Sequence, residues 1–297
     1  MTAMPPQQPD TQAPSARDDA TTTEQREGKQ APDGAPQQNS RPATALRRVL
    51  ITGATGEIGG ALARAYAARG TTLILTGRKQ RKLDAIAGEC RALGAEVECT
   101  VLNLCDEETL FTWLDEVCAQ GVPDIAIANA GMNTDIGPQG NGERWEDARR
   151  LLQTNVVGTF GMAHHLAMAM KARGSGQLVL LSSLAAWHGL ALTPSYSGSK
   201  AAVKAYGEGL RSWLKPFGVG VTVVMPGYVT SPMCEAMPGP KPFEMPAEQA
   251  ARRILKGAAH NRARISFPFP LNFGCWWLSV LPAGISQRLL EWFNYTH

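Results

Sequence analysis

From Arg47 onward, short apolar runs alternate with longer stretches in which apolar residues recur every three or four positions. The runs, rich in Val, Ile and Leu, predict strands at 49–52, 72–76, 97–102, 124–128, 177–182 and 219–225. The longer stretches predict helices over 59–69, 81–93, 107–119, 146–171 and 196–215. A strand that is apolar at nearly every position is buried on both faces, as in parallel sheets covered by helices on each side. With right-handed crossovers, the pattern predicts an α/β fold, a doubly wound parallel sheet in three α/β/α layers, built as one domain.

The two ends of the chain depart from this pattern. Residues 1–46 are rich in Gln, Pro, Asp, Thr and Ala, and Leu46 is their first large aliphatic residue. Such a segment cannot build a core, so a disordered tail is expected ahead of the α/β domain, which is placed over 47–266. It carries no basic start followed by an apolar run, so no secretory signal is expected. Residues 267–297 form an apolar C-terminal extension, with a run from Phe267 to Pro282 and an amphipathic stretch over 285–293. Interrupted by prolines and glycines, the run of roughly fifteen residues is too short to span a bilayer. Three readings are open for it. It packs on the domain or on a second subunit, or it roofs a lipophilic substrate. The third is peripheral contact with the inner face of a membrane through 267–293, by way of Phe273, Trp276 and Trp277 with Arg262, Arg264 and Arg288 nearby.

Charge and cysteine usage narrow the classes further. The chain has a net charge of +3, which is too mild to suggest nucleic acid. The six cysteines form no Cys-x-x-Cys pair and the five histidines show no metal-ligand spacing. Reduced thiols, a cytoplasmic setting and no metal are therefore expected.

Two motifs carry chemistry. The first is Thr52-Gly53-Ala54-Thr55-Gly56-Glu57-Ile58-Gly59, at the first strand-to-helix junction. Gly53 permits the tight turn, Gly59 permits close helix–strand packing, and free N–H groups at the helix start can take a pyrophosphate. In an alternating chain this is the dinucleotide turn of a Rossmann fold. The second strand then ends Gly77-Arg78-Lys79, followed by Arg81. Without a carboxylate to meet a ribose 2′-hydroxyl, and with arginine suited to a 2′-phosphate, NADP(H) is favoured over NAD(H).

The second motif is Tyr196-Ser197-Gly198-Ser199-Lys200, with Ser183 upstream. Positions i and i+4 share a helix face, so an ammonium can stand near a phenol. That favours the phenolate and draws a pKa of about 10 toward neutrality. A tyrosine tuned in this way can exchange a proton with an alcohol or carbonyl.

Taken in order, Thr52-Gly53 with Gly59, Asn129-Ala130-Gly131, Asn155, Ser183, Tyr196-x-x-x-Lys200 and Pro226-Gly227 resemble the short-chain dehydrogenase/reductase family in its shorter, single-domain branch. The resemblance covers about residues 47–233. It implies Tyr196 as general acid/base, Lys200 lowering its pKa and bonding the nicotinamide ribose, and Ser183 steadying the oxyanion. Asn155 would hold a relay water. The resemblance further implies cofactor contacts from Gly53, Thr55, Gly56, Glu57, Ile58, Gly59, Arg78, Asn103, Leu104, Asn129, Ala130 and Gly131. Pro226, Gly227, Val229 and the Ser231 hydroxyl would lie at the nicotinamide. A small-molecule substrate and a homo-oligomer are also implied.

Three positions depart from the branch. The glycine trio Gly53, Gly56 and Gly59 has the spacing of the longer branch, so Glu57 stands where glycine is usual and is expected to turn to solvent. Asn103 replaces an adenine-contacting acid, and Ala128 replaces the first of two asparagines. Residues 232–247 correspond to the substrate lid, with Met233, Met237, Phe243 and Met245 as an adaptable apolar wall. Trp187 and His188 are expected beside the same cleft, His188 as a polar wall residue. The expected activity is NADP-dependent hydride transfer between nicotinamide and a carbonyl or secondary alcohol, in the direction of reducing an apolar or lipid-like ketone. A sugar-modifying reductase or epimerase and a non-enzymatic dinucleotide sensor are the alternatives.

Overall fold

Each predicted apolar run forms a strand, and all the strands join one parallel sheet. The computed structural model describes residues 47–137, 139–237 and 239–293. The tail expected over 1–46 lies outside the described residues. In chain order the elements are β1 (Arg47–Ile51), α1 (Glu57–Tyr66), β2 (Thr71–Gly77), α2 (Gln80–Ala92), β3 (Glu96–Val101) and α3 (Glu107–Gln120). Then come β4 (Ile125–Ala128), α4 (Trp145–Leu152), α5 (Thr159–Arg173), β5 (Gly176–Leu181), α6 (Pro194–Leu214) and β6 (Val219–Pro226). The chain continues through α7 (Pro232–Ala236), α8 (Ala247–Ala259), β7 (Arg264–Phe267), α9 (Leu271–Val280) and α10 (Ala283–Trp292).

The sheet has seven strands in the order β3-β2-β1-β4-β5-β6-β7. Neighbours in each strand feed opposite cores. Val49, Ile51, Leu73, Leu75, Ile125 and Ile127 pack under α1, α2 and α8, while Leu50, Ile74, Ala126, Leu178 and Leu180 pack under α3, α5 and α6. This two-sided burial is the physical reason for unbroken apolar runs in place of alternation. The strand order reverses between β1 and β4, and a crevice opens there at the carboxyl ends of the strands.

Three features differ from the expected pattern. Helix α8 and the seventh strand β7 are additional, and β7 runs to Phe267, one residue past the expected domain boundary. The rod expected as one helix over 146–171 is α4 and α5 joined by a π-helical turn at Gln153–Gly158. Prolines 268 and 270 precede α9 and Pro282 follows it, so the apolar run is helical where it was expected to be broken.

Candidate active site

The phosphate turn is built around close approaches. Gly53 has φ +66, and a Cβ on Gly59 would lie 2.2 Å from the Gly53 carbonyl oxygen, so no larger residue fits that junction. Asn129 braces the turn, its Nδ2 donating to the carbonyls of Thr52 (3.0 Å) and Gly53 (3.1 Å). Thr52 Oγ1 accepts from the N–H groups of Asn129 and Ala130. Helix α1 starts at Gly56 without a side-chain cap, which leaves its first turn open to an anion. Glu57 is exposed at the rim, as its expected turn toward solvent requires. At the end of β2, a Cβ on Gly77 would lie 2.5 Å from Thr55 Cγ2, so Gly77 makes room for Thr55 as well as removing a carboxylate.

The helix that carries Tyr196 and Lys200 is held at its start by a distant residue. The carboxylate of Glu143 accepts from both the backbone N–H and the hydroxyl of Ser195, next to Pro194 in the first turn of α6. A negative charge is favourable at that helix end. Further along, Asn155 in the π turn bonds Met132 in both directions (2.9 Å each) and donates to Ser199 Oγ at 3.1 Å. Ser199 in turn donates to the Tyr196 carbonyl at 2.7 Å. This chain of bonds ties the π turn to the helix that presents Tyr196.

All the site residues expected from the sequence line one cavity of about 1260 Å³, except Asn155, which is buried behind it. Several hydroxyl and amide groups there already have partners. Ser231 Oγ donates to the Val229 carbonyl and accepts from Cys234 N, capping α7, which leaves it able only to accept one further bond. Asn103 Oδ1 accepts from Cys105 N, so one lone pair remains for adenine.

Two wall residues are corrected. Trp187 does not line the cavity; its ring packs against a small core with Leu184, Val223 and Met225, with Lys204 and Arg264 over its faces. Met245 is buried in the main core and pairs with Val229, so only Met233, Met237 and Phe243 of the four lid residues face the cavity. His188 lines it with both ring nitrogens engaged, Nδ1 with the Gly189 carbonyl and Nε2 with Ser286 of α10, each at 2.9 Å. Sequence reasoning missed Lys82, which joins Arg78 and Lys79 at the cavity where Arg81 does not. Its signal was present, since Lys79 and Lys82 stand one turn apart at the start of α2. Leu271, Cys275, Leu278, Leu289 and Leu290 bring α9 and α10 over the cavity, the roof among the three readings of the C-terminal extension.

The short chain dehydrogenase family model matches residues 47–239. The chain belongs to that family. An uncharacterised oxidoreductase of Myxococcus xanthus DK1622 is 34% identical over 80% of this chain and 93% of its own length. The 3-oxoacyl-acyl-carrier-protein reductase of Escherichia coli K12 is 28% identical over 73% of this chain and 87% of its own. Among solved structures, a short-chain dehydrogenase from Sphingobium yanoikuyae in complex with NADPH aligns with a TM-score of 0.70 at 26% identity, covering 83% of this chain and 96% of that one. The protein is thus a short-chain dehydrogenase, an oxidoreductase of the NAD(P)-dependent kind that acts on CH–OH groups.

The electrostatics of this dehydrogenase's site differ from the sequence expectation in one respect. Burial pushes the Tyr196 phenol above its ordinary value, against a smaller lowering from its hydrogen bond with Ser183. Lys200, also buried, is lowered from 10.5 to about 8 and donates to the Leu181 carbonyl at 2.9 Å. Its Nζ stands 5.6 Å from the centre of the Tyr196 ring. The expected drop of the phenol toward neutrality is therefore absent here, because loss of water costs the phenolate more than its neighbours return. The turn with no space for a Cβ, the uncapped helix start and the three exposed cations together fit a nicotinamide dinucleotide.

Proposed function

We propose that the protein is an NADP-dependent reductase of an apolar, lipid-like ketone, with Tyr196 as the general acid. The cavity's composition carries this reading. It passes Arg78, Lys79 and Lys82 at the end of β2, and Ser183 and Tyr196 beyond β5. From β2 to β5 is three strand spacings, about 14 Å, the scale of a dinucleotide laid across the crevice. Beyond Tyr196 the wall is Met233, Met237, Phe243 and the apolar undersides of α9 and α10. A nucleotide sugar would find few partners on such a wall, whereas a hydrocarbon would be buried favourably.

In this reading the turn from Gly53 to Gly59 holds the pyrophosphate and the three cations hold the 2′-phosphate. Asn103 and Leu104 meet the adenine, and Pro226, Gly227 and Val229 meet the nicotinamide. When bound, the nicotinamide supplies the hydride. Ser183 donates to the substrate oxygen and Tyr196 passes its proton to the same atom. A phenol kept protonated by burial suits an acid, which favours reduction. Lys200, charged below pH about 8, offsets the phenolate left behind. The Asn155 amide N–H groups are committed to Met132 and Ser199, which leaves one Oδ1 lone pair for a relay water.

The test is turnover of ketones of increasing chain length with NADPH or NADH, by wild type and Arg78→Ser. Wild type should prefer NADPH and long-chain ketones. Arg78→Ser should raise the NADPH KM at least about tenfold, the worth of one charge-assisted bond, and leave the NADH KM unchanged. Equal use of both cofactors by wild type would rule out the NADP assignment.

A further inference from the structure

Helix α9 is apolar on the side that faces the cavity and apolar again on the side that faces away, and α10 adds exposed Ile285 and Trp292 beside Gln287, Arg288 and Glu291. On α9, Gly274, Cys275 and Leu278 line the cavity, while Phe273, Trp276 and Val280 are exposed. On α10, Leu289 and Leu290 point inward, while Ile285 and Trp292 are exposed, Trp292 to 78%. Phe269, just before α9, is exposed to 77%. No charged side chain stands between Arg264 and Arg288. A helix with one side packed and the other in water ordinarily carries charges on the wet side. Helix α9 carries aromatic rings and no charge there, and with Phe269 and Trp292 these are more than scattered surface residues account for.

The surface has the chemistry of a membrane interface. Trp and Phe favour the boundary between headgroups and acyl chains, and the margins are basic, with Arg262 and Arg288 exposed and Glu291 the one acid beside them on α10. Among the described residues no helix is long and apolar enough to cross a membrane, so contact would lie in the plane of the surface. The outer face is also continuous with the cavity. Trp277 and Phe293 line the cavity and are exposed to 45% and 55%. A second copy of the chain seated there would close that opening, whereas a lipid surface would supply it.

We propose that α9, α10 and Phe269 dock the protein on an anionic membrane surface, from which a lipid-dissolved substrate enters between Trp277 and Phe293. The docking stands on the surface alone; the delivery of substrate rests on the reading of the reaction above.

The test is co-sedimentation of the full chain with phosphatidylcholine vesicles, with and without phosphatidylglycerol. Wild type should pellet with the anionic vesicles. The double variant Phe273→Glu/Trp292→Glu should lower the bound-to-free ratio by roughly tenfold or more. Arg288→Gln should lower it about fivefold on anionic vesicles. Neither set of residues lines the cavity, so both variants should keep wild-type turnover of a small water-soluble ketone. Quenching of wild-type tryptophan emission by brominated lipid needs no variant and should accompany binding. A wild type that stays in the supernatant with both vesicle types and is not quenched overturns the proposal. So does a dimer, seen by sedimentation velocity, that the double variant dissociates while vesicles bind neither form. Vesicle binding without turnover of any ketone would support docking and count against the reaction alone.

Discussion

Burial acts on Tyr196 and Lys200 in opposite directions along the pH scale, and in both it opposes charge. For Lys200 the lowering from 10.5 to about 8 is worth about 3 kcal/mol. The folded chain holds this proton less tightly than the unfolded chain. The cost is therefore full below pH about 8 and fades as pH rises toward 10.5. Lys200→Met removes the titration. Its stability relative to wild type should move against the variant by up to about 3 kcal/mol between pH 7 and 10.5, read by urea unfolding. A pH-independent difference would show that the ammonium is not penalised by the fold. The spacing of Tyr196 and Lys200 was legible because helical geometry fixes which side chains share a face. Their protonation balance was not, because dehydration depends on what covers them. For the same reason Met245 read as a lid residue: its burial against Val229 comes from a pairing between distant segments.

At the scale of elements, helix α6, which carries Tyr196 and Lys200, is held at its start by a loop residue far away in sequence. Glu143→Ala would leave the Ser195 N–H and hydroxyl without their carboxylate partner. A loss of about 1–2 kcal/mol of stability is expected, the usual worth of a helix cap. A several-fold fall in kcat should accompany it, because the first turn of α6 positions Tyr196. Urea unfolding and steady-state rates measure the two effects. Unchanged values for both would mean that Pro194 alone fixes the helix start. The segment expected as a lid is likewise anchored across sequence, since Thr230 N donates to the Met245 carbonyl and Met245 N to that of Tyr228. Long-range contacts of this kind leave no local pattern. The alternating strands and helices were legible because two-sided burial writes itself into every strand. Helix α8 also had a signal, with Ala247, Ala250, Ala251, Ile254 and Ala258 buried at helical spacing. It was lost behind the proline-rich lid. The π turn around Asn155 has no sequence signature, since it differs from α-helix by one hydrogen-bond register.

For the molecule as a whole, one crevice at the carboxyl ends of the strands gathers cations at β2, a phenol and a hydroxyl beyond β5, and an apolar roof from the C-terminal helices. The first two groups were legible as motifs tied to a phosphate turn. The roof was one of three readings of the C-terminal extension, and the choice among them was not legible, because its helices reveal their inner face only once His188 meets Ser286 and Leu271 reaches Gly227. The central claim is that Tyr196 gives its proton to the substrate oxygen. Its most direct measurement is the NADPH-dependent reduction of an apolar ketone by Tyr196→Phe, beside NADPH binding by the same variant. The expected result is a rate lower by a factor of about 10² to 10⁴ with cofactor affinity unchanged. Turnover near the wild-type rate would contradict it.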